Sequence, residues 1–184
     1  VIVSVLTCDR APSYIEGTLA SLRATAPDAE PRLFRDEWAR DTPATQRLTL
    51  SFRRALLEAS GDAFIIEDDV EFRYGWRARL DAAIGRSKGR YFLACYSPHR
   101  FVGDVVARCN PWLFFGTQAQ FIPASVRLDL AEYLDRHQED ATLDGLIGRW
   151  CFRKQVPLLA TVPSLVQHVG RVSSLGDPFH ESPM

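Results

Sequence analysis

Residues Val1 to Leu6 form an apolar, largely β-branched run broken only by Ser4. A strand that is apolar on both sides must be covered on both faces, which points to a sheet with helical layers on either side. The polar turn Thr7 to Pro12 follows. Ser13 and Glu16 then stand in capping-box spacing, and Ile15, Leu19 and Leu22 recur at helical spacing. Strand, loop and helix therefore come in that order.

The same alternation continues. Residues Thr25 to Pro31 read as loop and Arg32 to Phe34 as a short second strand. A second helix is predicted from about Thr45 to Ser60, with Leu48, Phe52, Ala55, Leu56 and Ala59 as its apolar stripe and Gly61 as its stop. Ala63 to Ile66 reads as a short buried strand and Gly75 to Ile84 as a third helix. Strands are predicted at Tyr91 to Cys95, Val102 to Ala107, Trp112 to Phe115 and Ala119 to Ile122. Val126, Leu130, Tyr133 and Leu134 mark a further helix, and Leu143, Leu146, Ile147 and Trp150 the next. Pro157 to Val162 is the last predicted strand, followed by an irregular tail. The expectation is one α/β domain over residues 1–184, with an open mixed, mostly parallel sheet flanked by helices and an antiparallel addition in its strand-rich middle. Ligands of such sheets bind beyond the carboxyl ends of the strands.

Charge narrows the partners. Twenty-two Lys and Arg balance 23 Asp and Glu, for a formal net charge of -1. No basic block is present, so no nucleic-acid partner is expected. No apolar run approaches the ~20 residues that span a bilayer, so no membrane segment is expected in this chain. The sequence opens on Val1, and a trimmed N-terminus is the expectation that goes with it. Cys8, Cys95, Cys109 and Cys151 form no CxxC pair and sit in or beside apolar stretches. That favours reduced, buried thiols and a cytoplasmic setting, with Cys95 and Cys109 the one candidate disulfide pair.

The strongest chemical signal is Phe64-Ile65-Ile66-Glu67-Asp68-Asp69-Val70, where a buried strand runs into three consecutive carboxylates. Two like charges ~4 Å apart repel by ~4 kcal/mol at an effective dielectric of ~20. Such crowding calls for a cation or for hydrogen-bond donors. A solvated acidic turn is the plain alternative. Strand alternation would put Glu67 and Asp69 on one side, for a divalent metal, and Asp68 on the other, for a ribose or sugar. A second signal lies in Val162-Pro163-Ser164-Leu165-Val166-Gln167-His168-Val169-Gly170-Arg171-Val172-Ser173-Ser174. His168 between apolar residues suits a neutral imidazole aimed at a metal, and Arg171, Ser173 and Ser174 offer donors to a diphosphate. Between two predicted strands, Gly116 permits close approach of the backbone to a sugar, Gln118 can bond its hydroxyls, and Trp112 or Phe115 can stack on a ring. Of Gln46, Arg47, Arg53 and Arg54 on the second helix, one is a candidate to face a nucleotide.

The tail segment resembles the PSLxQHxGxxSS motif of the N-acetylglucosaminyltransferases that branch N-glycans, the type IV family, and of their bacterial relatives. The triplet is similar to the EDD form of the DXD motif in such enzymes. The opening, Leu6 to Arg10 with Tyr14 and Thr18 to Leu22, resembles their first strand, nucleotide loop and helix. These motifs occur in the expected order over nearly the whole chain, which is much shorter than the animal enzymes. The resemblance implies the Rossmann-like A-type glycosyltransferase fold, with a nucleotide-binding half over about residues 1–110. An acceptor-binding half and a metal/diphosphate tail would occupy about 111–184. It implies Mn²⁺ or Mg²⁺ on Asp69, with His168 approaching the metal or diphosphate. Glu67 and Asp68 would hold the metal's water shell, the ribose or the donor sugar, and Arg10 would lie near the nucleotide. The stretch Glu139 to Ile147 looks like the Asp-x-Leu-Leu/Ile helix start ahead of the family's tail. Asp144 is thus the candidate base, or merely a helix cap, and Asp140 is its rival. The implied reaction is inverting transfer from a UDP-sugar, favoured N-acetylglucosamine, to a carbohydrate or glycoconjugate hydroxyl. Two other readings stay open: a metal-dependent phosphohydrolase or nucleotidyltransferase, with Asp9 as nucleophile, and a non-catalytic nucleotide-sugar-binding module.

Overall fold

The computed structural model describes residues 2–9, 12–39 and 41–171. Its first half alternates strand and helix: β1 (Ile2–Thr7), α1 (Ile15–Thr25), β2 (Glu30–Arg35), α2 (Ala44–Glu58) and β3 (Ala63–Glu67). A short β4 (Val70–Phe72) and α3 (Trp76–Arg86) follow, then β5 (Phe92–Ala94), β6 (Val106–Arg108), β7 (Ala119–Ile122), α4 (Ala124–His137), α5 (Leu143–Lys154), β8 (Leu158–Thr161) and β9 (Val166–His168). The main sheet has the order β2-β1-β3-β7-β5-β8-β6. Strands β1, β2, β3, β5 and β8 run one way, while β7 and β6 run antiparallel to their neighbours. The sheet is therefore mixed and mostly parallel, with its antiparallel strands in the later part of the chain.

Alternation along β3 shows why this order is stable. Ala63 and Ile65 face one core with Phe52, Leu56, Leu130, Leu134, Ile147 and Trp150, which come from α2, α4 and α5. Phe64 and Ile66 face the other core with Leu19, Leu22, Trp76 and Leu80 from α1 and α3. Both faces of one strand are buried, as its continuous apolar pattern requires. Trp76 stacks on Phe64 with ring centroids 5.4 Å apart, and its indole N–H donates to Thr25 Oγ1 at 3.0 Å. Its polar edge is thus satisfied inside the core.

Several local expectations change. Tyr14, not Ser13, precedes α1, and no side chain caps that helix. The segment predicted as a strand at Trp112 to Phe115 instead opens with a 3-10 turn, Pro111–Leu113. Asn110 Oδ1 accepts the Trp112 N–H at 3.0 Å and stabilises the turn. The turn packs against α5, where Gly148 is required: a Cβ there would lie 2.2 Å from the Pro111 carbonyl oxygen. All four cysteines are free thiols, so the candidate pair Cys95 and Cys109 is not bridged. Burial pushes the Cys109 thiol up to about 12 and raises the Cys95 and Cys151 thiols as well. They are small apolar groups here rather than nucleophiles. Among the described residues, no helix is long and apolar enough to cross a membrane.

Candidate active site

Beyond the carboxyl ends of β1 and β3 lies a cavity of about 270 Å³. β3 stops at Glu67, and a tight turn over Asp68 and Asp69 leads into β4. Because the backbone turns instead of continuing as a strand, side-chain alternation ends there. Glu67, Asp68 and Asp69 all line the same cavity rather than dividing between two sides. Each carboxylate has its own partner. Thr117 Oγ1 donates to Glu67 Oε1 at 2.8 Å, and Thr7 Oγ1 donates to Asp68 Oδ2 at 2.6 Å. Asp69 Oδ2 lies 3.2 Å from His168 Nε2. The turn is held from below by Thr18 of α1. Its hydroxyl lies 2.7 and 2.8 Å from the Asp68 and Val70 carbonyl oxygens and accepts the Val70 N–H.

His168 arrives from the far end of the chain. Antiparallel pairing of β9 with β4 sets His168 opposite Val70, and the Val169 N–H donates to the Asp69 carbonyl at 2.9 Å. Leu165 and Val166 anchor the segment, since both are fully buried. Gly170 completes the approach: a Cβ there would stand 2.2 Å from Asp69 Oδ2. No methyl group fits between the tail and that carboxylate. We therefore expect Gly170→Ala to push the Asp69 side chain from its place beside His168 and to lower the melting temperature by roughly 2–10 °C, since overpacking a buried contact costs about 1–3 kcal/mol. A thermal melt of the variant beside the parent checks this, and an unchanged transition would refute it.

The crowding has an electrostatic consequence. Burial, reinforced by the Asp69 charge, pushes the Glu67 carboxyl up to about 8. The Thr117 hydroxyl and His168 act the other way, and Asp144 adds to the rise.

Asp144 stands in the first turn of α5, where the helix amides favour an anion. It is not the helix cap, which is Thr142. Its Oδ2 accepts the Gly116 N–H at 3.4 Å, and it lines the cavity. Asp140 is elsewhere: it is exposed, bonded to His137 Nδ1 at 2.7 Å, and absent from the cavity wall. Gln118 lines the cavity with its side-chain Oε1 buried and lacking a hydrogen-bond partner. Trp112 does not reach the cavity. It is exposed and packs on Phe152 at 4.9 Å, so the aromatic wall is Phe114 and Phe115. Arg171 is exposed, and its backbone N–H donates to the Tyr14 hydroxyl at 3.2 Å. Arg10, Ser173 and Ser174 lie outside the described residues. Asp9 is exposed and does not line the cavity.

The structure adds residues that sequence reasoning did not single out. Thr7, Cys8, Asp36 and Ser51 line the cavity. Asp36 directly follows β2, so the rule that ligands gather at strand ends was a usable signal for it. Of the four polar residues considered on α2, Arg47 is the one in the wall, with Nε 3.3 Å from Asp36 Oδ2. Gln46, Arg53 and Arg54 bond outward to Glu139, Asp135, and the pair Glu37 and Glu58.

The donor set can be tested for a metal. Among the described residues, no group of three or more His, Cys, Asp and Glu side chains converges as a metal site. A cation here would rest on Asp69 and His168 and take its remaining ligands from phosphate oxygens and water, a pattern usual for hard divalent ions at phosphate sites. The carboxylates gathered at the turn and the side-chain-free Gly170 both fit such an ion.

No family model matches the sequence, and no curated protein matches it either. Solved structures do match the fold. GalNAc-T7 with UDP, GalNAc and Mn²⁺ superposes with a TM-score of 0.63 at 14% identity, over 97% of this chain and 44% of that one. A197 from STIV gives 0.55 at 11% identity, over 91% and 84%. The glycosyltransferase GlyE of Streptococcus pneumoniae TIGR4, in its apo form, gives 0.54 at 12% identity, over 85% and 44%. The chain thus spans less than half of the GalNAc-T7 and GlyE chains. Strand order and these superpositions agree on one architecture: the chain has the A-type glycosyltransferase fold.

Proposed function

We propose that the protein is a metal-dependent, inverting glycosyltransferase that moves a sugar from a UDP-sugar to a carbohydrate hydroxyl. The observation that carries this reading is the meeting of the acidic turn, His168 and Asp144 in one cavity at the strand ends. The ligands of the GalNAc-T7 structure, UDP, GalNAc and Mn²⁺, support it further. The tail and acidic motifs resemble the type IV N-acetylglucosaminyltransferases, which makes N-acetylglucosamine the favoured donor sugar, with GalNAc as the comparison.

Asp69 and His168 would hold Mn²⁺ or Mg²⁺, and the ion, when bound, would supply Lewis-acid stabilisation of the leaving diphosphate. Thr7 fixes Asp68, and Thr117 fixes Glu67, so both carboxylates are oriented before the ligand arrives. They accept hydrogen bonds from the ribose, the donor sugar or the ion's water shell. The nucleoside occupies the end of the cavity walled by Thr7, Cys8, Asp36 and Arg47. By the resemblance to the type IV family, Arg10, Arg171, Ser173 and Ser174 would serve the nucleotide and its diphosphate. Asp144 takes the proton from the acceptor hydroxyl, held in place by the Gly116 amide, and Gln118 bonds a sugar hydroxyl. Attack from the side opposite the leaving group inverts the anomeric centre.

The experiment is a binding screen by calorimetry of UDP, UDP-N-acetylglucosamine, UDP-GalNAc, UDP-glucose and UDP-galactose, each with Mn²⁺ and with EDTA. The expected result is UDP binding that needs the metal. Equal affinity with EDTA, or no binding at all, would overturn the reading.

A further inference from the structure

Beside the site lies a second cavity of about 170 Å³. Phe114 and Phe115 belong to both, so one aromatic wall separates them. The rest of the second cavity includes Ala94, Phe101, Cys109 and Leu113. Three polar residues, Ser97, His99 and Asn110, also line it, and two of them have a side-chain oxygen engaged. Ser97 Oγ accepts the His99 N–H at 3.1 Å, and Asn110 Oδ1 accepts the Trp112 N–H. What remains to meet a ligand is mostly apolar. Leu113 is 68% exposed on the rim, an apolar side chain facing water at the mouth of a pocket. An apolar cavity of roughly 150 Å³ suffices to take up a benzene ring.

Its position names the occupant. Gly116, next to Phe115, donates its N–H to Asp144. A hydroxyl presented to Asp144 is therefore one residue from the shared wall. A group joined to that acceptor sugar would lie against the shared Phe115 and, past its edge, would reach the second cavity. We propose that this cavity binds an aryl or short alkyl aglycone of the acceptor, so that the substrate is a glycoconjugate with an apolar group rather than a free sugar. The acceptor role rests on the transferase reading above; the binding of an apolar ring does not.

The test compares phenyl β-D-glucopyranoside with methyl β-D-glucopyranoside by calorimetry and protein NMR on the full chain. The sugar ring is the same in both probes, so its identity cancels. The phenyl glycoside is expected to bind at least about tenfold tighter, with shifts at Phe101, Leu113 and Phe115. Leu113→Asp, at an exposed position the fold tolerates, and Ala94→Leu, which fills the cavity, should each remove that preference and leave Mn²⁺-dependent UDP affinity unchanged. Equal binding of the two glycosides, or a preference that survives both variants, overturns the proposal. UDP binding with no phenyl preference sinks the subsite alone. A phenyl preference in a protein that ignores UDP keeps the apolar site and sinks its acceptor role.

Discussion

Asp69→Asn is expected to abolish the Mn²⁺-dependent part of UDP binding and to lower sugar transfer by about a thousandfold. Asparagine keeps the shape of the side chain but removes its charge, and a divalent cation depends on that charge. Lewis-acid stabilisation of a leaving oxygen is worth several kcal/mol; a loss of roughly 4 kcal/mol corresponds to about three powers of ten in rate. Stability should change far less. Asp69 repels Glu67, which the cluster holds well above the ordinary range, but it also meets His168 at 3.2 Å. Losing its charge removes both effects, which oppose each other, so the ligand-free variant should melt within about 5 °C of the parent. Melting curves without ligand and titrations of UDP with Mn²⁺ read the two effects separately. A variant that loses stability yet binds UDP and Mn²⁺ as the parent does would show that the carboxylate serves the fold instead.

The second large effect is expected at Asp144. Asp144→Asn should reduce turnover by about a hundredfold to ten-thousandfold, the usual worth of a positioned base. UDP affinity should stay within a factor of about two, because the helix and its Thr142 cap are untouched. Asparagine still accepts the Gly116 N–H, so the 116–118 loop keeps its place and only the proton acceptor is lost. Asp140→Asn is the internal control. Its carboxylate is exposed and spent on His137, away from the cavity, and the rate should barely change. If the two variants exchanged these outcomes, the base would be Asp140. If neither slowed transfer, proton removal would belong to another group.

These two predictions rest on different kinds of legibility. The acidic triplet and the helix start after Asp144 are local: each needs only a few neighbouring residues to recognise. The same is true of β1, β3 and β7 and of the main helices, whose apolar periods run long enough to reveal both type and buried face. Once one strand is apolar on both sides, helices must cover both, so the layer order follows from the sequence.

Tertiary structure decided what depends on residues far apart. β4 and β9 have three residues each, too few for a period to show, and they exist because they pair with each other. That pairing brings His168 to Asp69 across 99 residues of chain. Strand alternation would have split the triplet between two sides. The turn after Glu67 overrides it, because Thr18 and Thr7 fix the turn from another element. Trp112 has the composition of a strand residue, but packing of the Pro111–Leu113 turn against Gly148 sends it to the surface and leaves Phe115 at the cavity. Likewise four polar side chains on α2 looked alike, and only the placement of Asp36 at the end of β2 turned Arg47 inward. The amino-acid sequence alone determined the α/β layering and the residues with chemistry to offer, because burial patterns and charge crowding act over a few positions. The fold decided which of them meet, because that is settled by strand order and by close contacts at Gly148 and Gly170, which no local pattern encodes.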